Sequence, residues 1–296
     1  MKCSGYLLTV LSGASVALAA PLADDVGTGP YPAAYFTETS LPKHTIYRPI
    51  NPPANVSLPV LVWGQGGCAA DGLQERSYLI EIASHGFIAI ASGAPGGTGS
   101  TTSALMTESI TWVGTQAGTS GPYGNVDAKK IAAAGGSCGG LEAYDVIGNA
   151  AVDIIGIFSS GYIGNNAAQA SKLKKPVFYF LGNTGDIAYA NGLADYGNIT
   201  ATPKWFGSYN VGHMGTLTAL HGGAWGTATV QWLEWGLKGN LTAAKFFTDG
   251  GAQTAGWSKV QSADLDSFLS FIGPFDFQVA IWTALTCYRS QVPAYT

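Results

Sequence analysis

The ten residues Ile131–Gly140 read IAAAGGSCGG, and they constrain the fold of this chain more than any other stretch. A run of small apolar residues enters two glycines, a serine and a cysteine follow, and two more glycines lead into GLEAY, which has helical character. This is the form of a strand that turns sharply into a helix. A side chain at the apex of such a turn sits in a strained backbone conformation, and strand and helix can pass only where the residues two before and two after it are small. Two frames fit the letters: Gly135-x-Ser137-x-Gly139 and Gly136-x-Cys138-x-Gly140. With Ser137 at the apex, the crowded helix start gains Gly140 as an extra residue without a side chain; with Cys138 there, Leu141 takes that place. A thiol would also be open to oxidation outside the cell. Ser137 is therefore the expected nucleophile and Cys138 the alternative.

Short β-type runs alternate with helical patterns around this turn, so the expected class is α/β, a mostly parallel sheet with helices on both faces. HTIYRP reads as an early antiparallel strand, and PVLVW as a buried central one. FIAIAS, KKIAAAG, DIIGIFSS, KPVFYFLGN and PKWFGSY read as further strands. Between and after them, QERSYLIEIASHG, SALMTESITWVGTQ, CGGLEAYDVIGNA, IAYANGLADYG and TATVQWLEWGLKGN carry helical spacing. Nothing resembling a Pro/Ser-rich linker or a charge run divides the chain after its first fifty residues, so a single domain is expected over 21–296. The pattern weakens from about Gly250. The apolar run FIGPFDFQVAIWTALTCY holds Pro274 and Asp276 and lacks a basic flank, which favours a tail packed on the body over a spanning helix.

The first twenty residues have the anatomy of a secretory signal peptide: Lys2, an apolar run and a small-residue site at Ala17-Leu18-Ala19-Ala20. The expected product is extracellular, with three sequons at Asn55, Asn198 and Asn240. The net charge of −4 becomes −5 when the one charge of the leader, Lys2, is removed, which leaves no basic footprint for nucleic acid. Removing Cys3 leaves Cys68, Cys138 and Cys287, so at most one internal bridge can form. No metal or cofactor is implied, because the four histidines lack ligand spacing. A monomer without a membrane span is expected.

A serine hydroxyl needs a base, and the base needs an acid to orient it. Asp186 falls on a loop at the carboxyl end of the VFYFL strand, where a catalytic acid belongs, although helix capping is an equally ordinary role there. Asp195 lies inside a predicted helix. His213 stands in a glycine-flanked loop after a strand, whereas His44 and His85 precede the turn and His221 lies nearer the next helix.

The motifs PVLVWGQGGC, SHGFIAIASGAP, AAAGGSCGG, VFYFLGNTGD, VGHMGT and VQWLEWGLKGN, in this order and spacing, resemble the secreted α/β-hydrolases, and within them the cutinase, polyester-hydrolase and platelet-activating-factor acetylhydrolase branch. The resemblance covers roughly Thr45 to Gly250. It implies the α/β-hydrolase fold, a Ser137–Asp186–His213 triad, and cleavage of a carboxylic ester, small or polymeric, through an acyl-enzyme. The oxyanion donors are expected from the N–H groups of Cys138 and of Gln65, with Gly66 as the other choice for the latter. Cys68 and Cys138 fall in the two loops that must meet there, and a disulfide between them is expected, leaving Cys287 unpaired; the alternative is two buried free cysteines. The cysteine after the serine departs from the usual polyester-hydrolase pattern, in which an apolar residue stands there. Tyr162 and Trp225 are candidate walls of an acyl pocket, against the commoner role of aromatics in a core. Competing readings are a thiol-type lactone hydrolase using Cys138, a peptidase or amidase with the same triad, and a secreted binding protein without activity.

Overall fold

The structure, a computed structural model, describes residues 25–164 and 166–271. The expected leader, Cys3, the apolar run from Ile272 onward and Cys287 lie outside the described residues. Nine strands form one sheet: β1 (Ala33–Phe36), β2 (His44–Pro49), β3 (Leu58–Gly64), β4 (Ile88–Ser92), β5 (Val126–Gly136), β6 (Val152–Phe158), β7 (Val177–Leu181), β8 (Lys204–Ser208) and β9 (Ser258–Ala263). Their spatial order is β1-β2-β4-β3-β5-β6-β7-β8-β9. The six strands from β4 to β8 in that order are parallel, and β1, β2 and β9 are antiparallel additions at the two edges.

The central strands are apolar along their whole length because both faces are covered. Leu61, Trp63, Ala132, Ala134, Phe158, Phe178 and Phe180 point to one side, toward α1 (Arg76–Ser84). Val60, Val62, Ile131, Ala133, Ile155, Ile157 and Tyr179 point to the other, toward α2 (Ser103–Gln116) and α3 (Cys138–Asp145). The period of two along each strand separates these two sets. The chain continues through α4 (Ala167–Ala170), α5 (Tyr189–Asn198), α6 (Gly223–Lys238), α7 (Leu241–Thr248), α8 (Gly251–Thr254) and α9 (Phe268–Phe271). α6 and α7 lie on the α1 face, and Gly156 on β6 leaves the space that the Trp232 ring of α6 fills: a side-chain carbon there would stand 2.7 Å from the ring.

α3 is shorter than its sequence pattern predicts, ending at Asp145 rather than running on to Ala150. The edge strands β1 and β9 carry no clear strand signal. SKVQSA in β9 is exposed at four of its six positions, so its place is set by pairing with β8 rather than by an apolar face. Among the described residues, no helix is long and apolar enough to cross a membrane.

Candidate active site

β5 ends at Gly136, and α3 begins at Cys138, so the whole reversal falls on Ser137. Its φ of 51° and ψ of −115° are strained for a residue with a side chain. The turn is held by the Ser137 N–H donating to the Phe158 carbonyl at 2.8 Å. The tightness that selects glycine is visible on both sides. A side-chain carbon on Gly135 would meet the Gly139 carbonyl at 2.3 Å, and one on Gly139 would meet the Gly64 oxygen at 2.1 Å and the Gln65 nitrogen at 2.8 Å.

Residues far apart in sequence converge on the Ser137 hydroxyl. His213 Nε2 lies 2.9 Å from Ser137 Oγ, and His213 Nδ1 lies 2.7 Å from Asp186 Oδ1. The imidazole is partly open to solvent, whereas the Asp186 carboxyl is fully enclosed. Burial alone would raise the Asp186 pKa, but hydrogen bonds from Ser159, Ala188, His213 and Gly182 outweigh it and hold the group below its ordinary value. The Ala188 N–H donates to Asp186 Oδ1 at 2.9 Å, but Ala188 is itself the N-cap of α5 and no side chain caps that helix, so Asp186 does not fill the capping role. His44 and His85 are occupied elsewhere, by the Leu105 carbonyl and by Glu81 respectively.

Beside the hydroxyl, the loop after β3 meets the start of α3. Cys68 and Cys138 form a disulfide across a sequence separation of 70, with their Cα atoms 5.1 Å apart. Among the described residues, neither the Gln65 N–H nor the Cys138 N–H has a hydrogen-bond acceptor. Gly66 faces the buried Glu75 carboxyl without a hydrogen bond to it, and Glu75 Oε1 has no partner among the described residues. Glu75 Oε2 accepts from Trp63 Nε1 at 3.3 Å, and the same indole donates to Gln65 Oε1 at 3.0 Å. Burial pushes Glu75 up to about 7. On the other side of the loop, the Thr101 N–H donates to the Cys68 carbonyl and Thr101 Oγ1 donates to Glu142 Oε1, both at 2.7 Å. Two unshared amides at a helix start, fixed by a disulfide and by buried partners, can accept developing negative charge.

The two aromatic candidates part ways. Tyr162 lies on the loop leaving β6, half-buried, its ring stacked on Tyr144 with centroids 4.1 Å apart and its N–H donating to Asp195. Trp225 corrects the expectation of a pocket wall: it is fully enclosed, between Phe158 and Trp257, and its ring lies directly under Gly215 of the histidine loop. A side chain with no exposed surface touches no substrate; Trp225 supports that loop from inside.

Ser159, Ser160, Thr101, Glu75 and Met214 also shape the site and were not singled out from sequence. The Ser-Ser pair at the end of a predicted strand was the only local signal, and serines at strand ends are common. No known protein-family model matches the chain, and no curated protein matches it.

Proposed function

We propose that the protein is an extracellular serine hydrolase of the α/β-hydrolase class that cleaves carboxylic esters through a covalent acyl-enzyme. The observation that carries this reading is the continuous line from Ser137 Oγ through the His213 ring to Asp186, with steps of 2.9 and 2.7 Å. The strained serine between strand and helix, the order serine, aspartate, histidine along the chain, and a parallel sheet with β3 between β4 and β5 all support it.

In the first step Ser137 Oγ attacks the ester carbonyl carbon while His213 Nε2 takes the hydroxyl proton. Asp186 holds the Nδ1–H and stabilises the imidazolium. The carbonyl oxygen, now an anion, is bound by the N–H groups of Gln65 and Cys138; one such donor is worth roughly 2.7 to 4 kcal/mol in comparable sites. The C–O bond breaks as His213 gives the proton to the leaving alcohol. Water, deprotonated by His213, then attacks the acyl-enzyme, and the acid leaves with Ser137 restored. Tyr162 serves as an aromatic wall for the acyl group. The sulfur of Cys138 is bonded to Cys68 and offers no thiolate, which disfavours a thiol mechanism.

Hydrolysis of short nitrophenyl esters by the wild type and its loss in Ser137→Ala is the direct test, joined to a serine-directed phosphonylating probe located by mass spectrometry. Label on Ser137 and an inactive variant are expected. Equal turnover by both proteins would remove the mechanism, and a panel of amides beside esters separates a peptidase from an esterase.

A further inference from the structure

Three consecutive residues at the end of β6 reach three different parts of the site. The Phe158 carbonyl accepts the Ser137 N–H at 2.8 Å. Ser160 Oγ donates to the Ser137 carbonyl at 2.7 Å. Between them, Ser159 Oγ donates to Asp186 Oδ2 at 2.7 Å and accepts the Met214 N–H at 3.0 Å. Met214 is the residue after His213, so one buried hydroxyl touches both the acid and the backbone of the loop that carries the base.

We propose that Ser159 is a positioning residue for this site, a single hydroxyl that fixes the carboxylate of Asp186 and the backbone beside His213 relative to each other. This rests on the reading of Ser137, His213 and Asp186 as the hydrolytic machinery.

Three observations carry the assignment. The hydroxyl uses its donor on one partner and its acceptor on the other, a combination that alanine or glycine cannot supply. Its donor goes to Asp186 Oδ2, the oxygen that His213 does not use, so the carboxylate is clamped from both sides: Ser159 and Gly182 on Oδ2, His213 and Ala188 on Oδ1. The carboxylate can therefore rotate neither away from the ring nor out of its plane without breaking a charge-assisted bond. Finally, Ser159 is fully buried at a φ of 41°, a region where glycine is at ease and a residue with a side chain is strained. Backbone geometry alone would favour glycine here. The strain is offset by what the hydroxyl does. Met214 is itself at a φ of 65°, so the histidine loop too is held in a conformation that its own backbone does not prefer.

The same strain supplies a clean test. Ser159→Gly deletes the hydroxyl while relieving the backbone, so folding is preserved or improved on that account; Ser159→Ala deletes the hydroxyl and keeps the strain. Both are compared with the wild type for kcat and KM on a nitrophenyl ester, for thermal midpoint, and for the low-field proton resonance of the His213 Nδ1–H. The expected result is a kcat lower by roughly tenfold or more in both variants, the size of one hydrogen bond to a charged group. KM should stay within about a factor of two, since Ser159 contacts no substrate. The Nδ1–H resonance should move or broaden, which a residue of merely structural importance would not cause. A Ser159→Gly protein with wild-type kcat and an unchanged resonance overturns the assignment, whatever its thermal midpoint. Failure of the underlying reading looks different: the wild type itself shows no Ser137-dependent turnover. The resonance then decides alone, an unchanged signal in Ser159→Gly refuting the positioning role and an altered one supporting it.

Discussion

A side-chain carbon on Gly135 would stand 2.3 Å from the carbonyl of Gly139, so the strand that delivers Ser137 and the helix that leaves it are in backbone contact across the turn. Gly139 in turn lies against Gly64 and Gln65, with 2.1 Å from its notional side-chain carbon to the Gly64 oxygen. These neighbours are main-chain atoms and cannot swing aside. Gly139→Ala is therefore expected to cost more than about 2 kcal/mol and to displace the Gln65 amide. Urea denaturation reads the first effect and ester turnover the second; a variant with wild-type midpoint and rate would show the contact to be soft.

The disulfide closes a long loop and joins the two segments that present the Gln65 and Cys138 amides. Chain-entropy reasoning puts its contribution at about 4 kcal/mol for a ring of this size. The Cys68→Ala, Cys138→Ala double variant should unfold at lower denaturant concentration and lose kcat more than KM. Alkylation before reduction should leave both cysteines of the wild type unlabelled, and quantitative labelling of Cys68 would exclude the bridge.

Asp186→Asn preserves shape but removes the charge that holds the imidazolium. On the proposed mechanism a fall in kcat on the order of 10⁴ is expected, as for the analogous change in a serine protease. A loss of only a few-fold, measured on a properly folded variant, would place the essential carboxylate elsewhere.

Glu75 titrates against the fold. Burial raises its pKa from 4.5 to about 7, so the folded state holds the proton more tightly than the unfolded chain does. Stability is thus unaffected below the unfolded value and declines as pH rises from about 4.5 to about 7, by a total of about 3 kcal/mol. Glu75→Gln should gain stability relative to the wild type over that interval, and denaturation midpoints at pH 4 and pH 8 measure it. A constant difference between the two proteins would contradict the shift.

Glu81 behaves in the opposite sense. Burial works to raise its pKa, but His85 and Thr28 outweigh it and bring the group down to about 2. The Thr28 N–H at 2.8 Å and its hydroxyl at 2.5 Å tie the segment before β1 to α1. The stabilisation is complete above the unfolded carboxylate value near 4.5 and is lost as pH falls toward 2. Glu81→Gln should flatten the acid side of the stability profile, with proteolysis near Thr28 appearing already at neutral pH.

Much of the fold is legible in the chain because it is written in local periods. The apolar runs of β3 to β8 and the helical spacings between them specify a covered parallel sheet, and the glycines around Ser137 specify a strand and helix in close passage. Asp186 and His213 could be picked out because each follows a strand and so arrives at the same edge of a parallel sheet. α3 stops short of its pattern, and β9 has no pattern, because turn geometry and edge pairing decided both.

The partners of Trp225 and Ser159 were not legible. Trp225 has the same aromatic character whether it lines a pocket or fills a core, and its packing between Phe158 and Trp257, beneath Gly215, places it inside. Ser159 looks like any serine after a strand until β6 and β7 lie side by side and bring Asp186 to its hydroxyl. The sequence by itself determined the class of architecture and the turn at Ser137, since backbone period and glycine tolerance are properties of neighbours in the chain. The tertiary structure alone decided which hydroxyls and rings surround that turn, because those contacts join residues tens of positions apart and exist only once sheet order and register are fixed.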